Sequence, residues 1–315
     1  MTASASTHSS RFPYPIPFGW FGIARIDELP SEPVTRLAYF GRELVLWRDG
    51  DDVRLVDARC PHLGAHLGVG GTVRDGQLVC PFHGWSFGPD GANTCVPYAD
   101  RPHPNARLRV YPTVVRNRLL LAWYHPDPAV APTFDVPDAL GDDAVECGRL
   151  DFTVATAWQE IAENSVDMAH FKFVHGLERI GQVGELTLDG PFRKVASRQQ
   201  YNSARGPIDG ALESNSFGPG VGITHFDLVS RVTQVSAMTA IDADHVHARF
   251  TFYHAGDELS AKVGKSFAEE VRRQFQQDIP IWESKFAMPR PALAPSEQPI
   301  ATFRKWASQF YVAES

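Results

Sequence analysis

Two short stretches decide how this sequence is interpreted: Cys60-Pro-His-Leu-Gly-Ala-His-Leu-Gly68 and Cys80-Pro-Phe-His-Gly-Trp-Ser-Phe87. The first begins Cys-X-His and the second Cys-X-X-His, with seventeen residues between the two halves. Each half follows a strand-like run, so two loops would bring four metal-binding side chains to one point. These side chains are Cys60, His62, Cys80 and His83.

Two kinds of metal centre use two cysteines and two histidines. In a [2Fe-2S] cluster, two thiolates hold one iron and two neutral imidazoles hold the other, which raises the reduction potential above that of a four-thiolate cluster. A structural zinc ion also accepts this set, but its usual pattern pairs Cys with Cys and His with His. Because each half here carries one of each, the sequence favours the cluster, with Trp85 placed to cover it.

The sequence around these stretches predicts a small all-β module over residues 18–125. Short strand-like runs alternate with Gly and Pro, and Asp-Gly pairs at Asp49, Asp75 and Asp90 are typical of hairpin turns. A Pro- and Asp-rich connection over residues 126–143 then marks a boundary.

The pattern changes beyond this connection. We expect a strand over residues 151–157, a helix from Trp158, and longer strands up to residue 254. Apolar and polar residues alternate over 246–253, which predicts a sheet with one buried face. Apolar residues three or four apart over 263–286 predict an amphipathic helix. The expected fold class is α+β: an all-β domain, then a domain with an antiparallel sheet flanked by helices.

A second candidate metal site lies in Glu163-Asn-Ser-Val-Asp-Met-Ala-His-Phe-Lys-Phe-Val-His-Gly176. An open ferrous site needs two imidazoles and one carboxylate on one face. His170 and His175 would converge if the helix ended or bent before Gly176, and Asp278 falls on the apolar stripe of the C-terminal helix, where an unpaired carboxylate is costly. Taken alone, core histidines and an ordinary ion pair explain these residues as well.

The two patterns together resemble the Rieske non-haem iron oxygenases. The second stretch matches the motif Asn-X-X-Asp-X-X-His-X-X-X-X-His of their catalytic site, at Asn164, Asp167, His170 and His175. The resemblance implies that Cys60 and Cys80 hold one cluster iron and that His62 and His83 hold the other. It also implies that a mononuclear Fe(II) is bound by His170, His175 and Asp278.

The resemblance further implies an electron route between subunits of a homotrimer. Asp167 would accept hydrogen bonds from His170 and from His83 of the partner subunit, and Asn164 would support the site. The enzyme would be a mono- or dioxygenase or a desaturase that uses O₂. Its electrons would come from a separate NAD(P)H-dependent ferredoxin reductase or a ferredoxin, because the chain has no dinucleotide-binding Gly motif after a strand and no Cys₄ ferredoxin spacing.

The substrate class is suggested by the C-terminal runs at 278–285 and 299–311, which resemble 3-ketosteroid 9α-hydroxylase oxygenases and cholesterol 7-desaturases. A hydrophobic steroid or sterol is therefore the expected substrate. Two alternatives stay open: a Rieske oxygenase that hydroxylates or demethylates an aromatic acid, and a Rieske electron carrier without catalytic iron.

Charge and composition narrow the remaining possibilities. The net charge of -7 and the absence of a basic run argue against nucleic-acid binding. Four cysteines are too few for a disulfide scaffold in 315 residues. No signal peptide or apolar run of membrane-spanning length is evident, which predicts a cytoplasmic protein. The expected divisions are a flexible tail (1–13), a Rieske domain (14–128) and a catalytic domain (129–315).

Overall fold

The structure is a computed structural model, and it describes residues 11–201, 206, 208–227, 230–288 and 290–312. Residues 19–124, described without a gap, form three small antiparallel sheets, in the strand orders β1-β11-β10, β2-β3-β4-β9 and β5-β6-β7-β8. The strands are β1 (Gly19–Arg25), β2 (Val34–Tyr39), β3 (Arg42–Asp49), β4 (Asp52–Asp57), β5 (Thr72–Arg74), β6 (Gln77–Val79), β7 (Ser86–Phe87), β8 (Asn93–Cys95), β9 (Val110–Tyr111), β10 (Thr113–Arg116) and β11 (Leu119–Tyr124).

The predicted turns are confirmed. The Asp-Gly pairs join β3 to β4, β5 to β6 and β7 to β8. Their glycines all have positive φ, a conformation that side-chain-bearing residues rarely adopt. They are Gly50, Gly76 and Gly91.

The second unit is a long antiparallel sheet with helices on one side, as predicted. Within the described residues its strand order is β12-β18-β17-β16-β15-β14-β13. The strands are β12 (Val145–Val154), β13 (Gln182–Asp189), β14 (Phe192–Tyr201), β15 (Ile208–Phe217), β16 (Val221–Asp227), β17 (Arg231–Ala240) and β18 (Val246–His254). The helices are α1 (Trp158–Glu163), α2 (Met168–Phe173), α3 (Glu258–Ser284) and α4 (Gln298–Ala307).

Helix α3 lies on β12, β17 and β18. The apolar face of α3 contains the buried residues Phe267, Phe275 and Trp282. The ring of Phe275 packs against Phe250 on β18. Two details of the sequence prediction are wrong. The strand expected over 151–157 runs from 145 to 154, and Phe286 lies beyond the end of α3 and is 61% exposed.

The prediction of a single buried face is wrong for β18. Arg249 and Thr251, on the face opposite Phe250, are also buried. That face is covered by the N-terminal unit: Arg249 Nη1 donates to the Gly22 carbonyl at 3.0 Å, and Arg25 Nε donates to Thr251 Oγ1 at 2.9 Å. The polar side chains therefore meet a second layer of protein.

Backbone contacts also join the two units. The amide of Phe40 donates to the Ala240 carbonyl at 2.9 Å, and Phe21 forms an isolated parallel bridge with Gly220. A Cβ at Gly220 would lie 2.2 Å from the Trp20 carbonyl oxygen, so this close approach requires glycine.

The N-terminal segment corrects one expected boundary. Residues 1–10 of the predicted tail lie outside the described residues. Arg11 and Phe12, also assigned to the tail, are packed: Phe12 is 0% exposed, and Arg11 Nη1 donates to the Glu283 carbonyl at 2.7 Å. Across the described residues, no helix combines the length and apolar character that spanning a membrane would require.

Candidate metal centres

The two loops that carry the cysteines have the same backbone hydrogen bonds. The Cys60 amide donates to the Ala65 carbonyl at 2.9 Å, and the Cys80 amide donates to the Trp85 carbonyl at 2.8 Å. In each loop, the residue four positions after the cysteine donates its amide back to the cysteine carbonyl. That residue is a glycine with positive φ in both loops, Gly64 and Gly84. Each cysteine is therefore held at the start of a tight turn.

The two loops place sulfurs on the inside and imidazoles on the outside. Cys60 and Cys80 are buried, whereas His62 and His83 are partly exposed, with ring centroids 4.8 Å apart. Trp85 stacks on His62 at 4.4 Å with an interplanar angle of 6°. The indole predicted to cover the cluster therefore packs on one of its candidate ligands.

The chemistry of these residues fits a bound cluster. Burial, together with the neighbouring Cys80, raises the pKa of the Cys60 thiol to about 11. A thiolate at this position needs a nearby cation, which a pair of iron ions would supply. The partly exposed imidazoles would face an incoming electron donor.

The second site gathers the three residues predicted to bind a mononuclear iron. His170 lies on α2, His175 follows the end of that helix, and Asp278 lies on α3. One donor atom from each lies within 4.8 Å of the other two, and His175 Nε2 is 3.5 Å from Asp278 Oδ1. His175 is 4% exposed and Asp278 is 7% exposed. This is the donor set and the burial that an open ferrous site needs.

The chain folds so that both imidazoles converge. Helix α2 ends at Phe173, and Gly176 has φ +74°, so His175 leaves the helical path as predicted. Pro280 lies inside α3 without ending it, which keeps Asp278 on a helix that continues to Ser284. Local backbone and a distant helix therefore contribute to one site.

Hydrogen bonds fix the rings so that their Nε2 atoms face the site. His170 Nδ1 bonds to the Asp167 carbonyl at 2.5 Å, and His175 Nδ1 bonds to Gln277 Oε1 at 3.1 Å. Burial lowers the pKa of His170, which favours the neutral imidazole that binds metal. Asn164 Nδ2 lies 3.5 Å from His170 Nε2, which puts Asn164 beside the candidate iron position.

Asp167 forms hydrogen bonds to the start of α2 and to the ring of His170. Its carboxylate caps α2, accepting the amides of Ala169 at 3.1 Å and His170 at 3.3 Å. The carboxylate is 3.9 Å from His170 Nδ1, and the carbonyl of Asp167 takes the ring hydrogen bond instead. Asp167 thus accepts hydrogen bonds from His170 as expected, from the backbone amide at its carboxylate and from the ring at its backbone carbonyl.

Gln277 is a residue that sequence reasoning missed. Its Oε1 bonds to His175 Nδ1 and also accepts from Arg273 Nη1 at 3.0 Å. Its position next to Asp278 was the available signal, but a helical glutamine has no pattern that marks it as a partner of His175.

We expect Gln277→Leu to weaken iron binding at the second site by roughly 10- to 100-fold, because a partner that orients a ligand contributes about that much. Gln277→Glu keeps the acceptor oxygen and serves as the control, for which we expect near-normal binding. Iron retained against a graded chelator measures the effect, with cluster absorbance as internal reference. Equal retention in the leucine variant and the wild type would contradict this role.

Comparison with known proteins agrees with the geometry. Residues 19–112 match the Rieske [2Fe-2S] domain, and residues 122–311 match the 3-ketosteroid 9alpha-hydroxylase C-terminal domain. Cholesterol 7-desaturase nvd of Drosophila melanogaster is 30% identical over 96% of this chain and 77% of its own. The 3-ketosteroid-9-alpha-monooxygenase oxygenase component of Rhodococcus rhodochrous is 28% identical over 93% and 80%.

The fold also matches solved structures. Dicamba monooxygenase bound to 3,6-dichlorosalicylic acid superposes with a TM-score of 0.75 over 93% of this chain and 96% of its own, at 17% identity. The match of a catalytic domain beyond the cluster module disfavours a simple electron carrier, and the match of the first unit excludes the zinc alternative. The chain therefore belongs to the Rieske oxygenases, oxidoreductases with a Rieske [2Fe-2S] cluster and a mononuclear iron.

Proposed function

We propose that this protein is the oxygenase component of a multicomponent system that hydroxylates or desaturates a steroid or sterol. The observation that carries the proposal is the buried triad of His170, His175 and Asp278 inside a domain of the 3-ketosteroid 9alpha-hydroxylase type. These three residues would hold an iron that supplies the chemistry of O₂ activation. Relatives named for sterol desaturation and for ketosteroid hydroxylation support the substrate class.

We assign the individual residues as follows. Cys60 and Cys80 hold one cluster iron and His62 and His83 the other, while His170, His175 and Asp278 hold the mononuclear iron. The Asp167 carbonyl and the Gln277 amide orient the two imidazoles of the second site, and Asn164 borders it. We also propose the division into a Rieske domain (14–128) and a catalytic domain (129–315), which is supported by the change of sheet between β11 and β12.

The partner is a reductase or ferredoxin that docks at the cluster. Exposed apolar residues surround the cluster loops and support this: Leu63, Val69, Phe82 and Tyr98. Within the described residues, the hydrophobic core beneath the loops consists entirely of residues from the first unit. All four cysteines are free thiols, which agrees with a cytoplasmic location, part of the proposal.

A homotrimer would bring the cluster loops of one subunit to the second site of another. Asp167 lines a cavity of about 270 Å³ together with Met168, Ile180 and Pro299. Ile180 in its lining and Phe173 at the end of α2 are exposed apolar residues. We propose that the cluster loops of a partner subunit cover this region and pass electrons through Asp167.

A turnover screen tests the proposed function. The holoenzyme, supplied with a surrogate ferredoxin and reductase, is incubated with sterols, 3-ketosteroids and aromatic acids, and products are identified by mass. We expect steroid-dependent O₂ consumption with a hydroxylated or desaturated product. Conversion of aromatic acids alone would overturn the steroid assignment, and a cluster that reduces without any second iron would overturn the oxygenase itself.

A further inference from the structure

A cavity of about 160 Å³ lies between the sheet, α1 and α4. Its floor is a row of residues that pair across five strands, from β14 to β18. The row is Arg193, Ser216, Gly222, Ser236 and Phe250. Four strand spacings make it about 19 Å long.

The floor is polar where a packed core would be apolar. Beside the first row lie Ser214, Thr224 and Gln234, which pair across the same strands. All three line the cavity. Core positions of a sheet normally carry large apolar side chains that fill the space under the helices. Small and polar residues here leave room for a ligand.

Arg193 closes one end of this floor, and it is only 5% exposed. Its Nη1 donates to Ser165 Oγ at 2.7 Å and its Nη2 to Ser216 Oγ at 2.9 Å. The guanidinium also lies over the rings of Phe303 and Trp306, at 5.1 and 5.3 Å.

The charge of Arg193 has no counterion in the described part of the chain. Its neighbours are hydroxyls and aromatic rings, and its buried Nε has no hydrogen-bond partner. Burial lowers the pKa of this guanidinium to about 10, so it still carries its charge at neutral pH. Burying a cation or an unpaired hydrogen-bond donor costs free energy unless an anion pairs with the charge and accepts the hydrogen bond.

Two residues that line the cavity are neighbours of residues around the candidate iron site. Ser165, which holds Nη1, directly follows Asn164, whose amide is 3.5 Å from His170 Nε2. At the other end of the floor, the ring of Phe250 packs against Phe275 at 5.2 Å, less than one helical turn before Asp278. A ligand held at Arg193 that extends along the floor would therefore reach residues adjacent to those of the triad.

We propose that Arg193 anchors a carboxylate of the substrate, which makes the substrate a steroid or sterol derivative with an acidic group. The free Nε and the adjacent Nη2 form the side of the guanidinium that binds a carboxylate through two hydrogen bonds. Ser216 accepts from Nη2 and keeps its own proton to donate into the cavity. The steroid nature of the substrate rests on the proposed function, whereas carboxylate binding by Arg193 does not depend on it.

The test compares an acid with its ester. Binding of 3-oxo-4-androstene-17β-carboxylic acid and of its methyl ester to the holoenzyme is measured by calorimetry, with benzoate as a non-steroid acid. The first variant, Arg193→Gln, removes the positive charge. The second, Arg193→Lys, keeps the charge but cannot offer two parallel N–H donors to a carboxylate. Lys194→Gln is the control, because Lys194 is the next residue of β14, is exposed and pairs with Glu213 at 2.9 Å.

We expect the wild type and Lys194→Gln to bind the acid roughly 10- to 100-fold more tightly than the ester, the range for a charge-assisted pair. Arg193→Gln should lose this preference and Arg193→Lys should keep part of it. Equal binding of acid and ester by the wild type would overturn the role of Arg193 as a carboxylate anchor, even if Arg193→Gln failed to fold. A preference for the acid that survives in Arg193→Gln would overturn it too. Arg193-dependent binding of benzoate without steroid binding would keep the anchor and overturn the steroid assignment.

Discussion

Asp278→Asn is expected to abolish turnover and to lower the iron content from about three to about two per chain. Asp278 is buried 3.5 Å from His175 Nε2, and it supplies the anionic donor of the triad. Asparagine keeps the shape of the side chain but offers a neutral amide, so two imidazoles would be left without the carboxylate that a ferrous site requires.

Iron analysis and the visible spectrum together check this expectation. The cluster bands should be unchanged, because Cys60 and Cys80 belong to a separate core. Glu269→Gln is a matched control on the same helix, since Glu269 is exposed and pairs with Arg272 at 3.2 Å. Full iron content together with normal turnover in the Asp278 variant would show that this residue is no ligand.

Asp167→Asn is expected to reduce turnover on the order of 10²-fold while both iron centres stay loaded. Asparagine caps a helix as well as aspartate does, so α2 should keep its start and His170 its position. The variant loses the negative charge that the proposed electron route needs. Asp167→Ala loses the cap as well, which costs about 0.5–2 kcal/mol of stability.

The pair of variants separates two roles for Asp167. The cluster is reduced first, and its reoxidation is followed after substrate and O₂ are added. If both variants are slow, the charge carries the effect. If the asparagine variant is normal and only the alanine variant is slow, Asp167 serves α2 as a cap and the route between subunits fails.

The parts of the structure that local sequence determines were predictable. An Asp-Gly pair fixes a hairpin through the φ of its glycine, and a Cys-X-His loop fixes the order of its donors, whatever lies further along the chain. Helix geometry gave the condition for His170 and His175 to converge, a bend after His170, because a continuous helix would have separated them. The expectation that they do converge came from the resemblance.

Features that depend on distant packing were not predictable. The burial of Arg249 and Thr251 could not be predicted, because the alternation of apolar and polar residues in β18 does not reveal that β1 lies over them. Gln277 becomes a partner of His175 only when α3 meets the end of α2. Arg193 has no motif at all, and its missing counterion is visible only once the side chains around it are placed.

The paired turns at Cys60 and Cys80 bear on how the cofactor is installed. Each turn is closed by amide-to-carbonyl bonds and a left-handed glycine, none of which involves a metal ligand's side chain. The backbone of each loop thus holds its cysteine at a defined place in the turn. Binding of iron and sulfide would therefore add to backbone hydrogen bonds that hold each cysteine at the start of its turn.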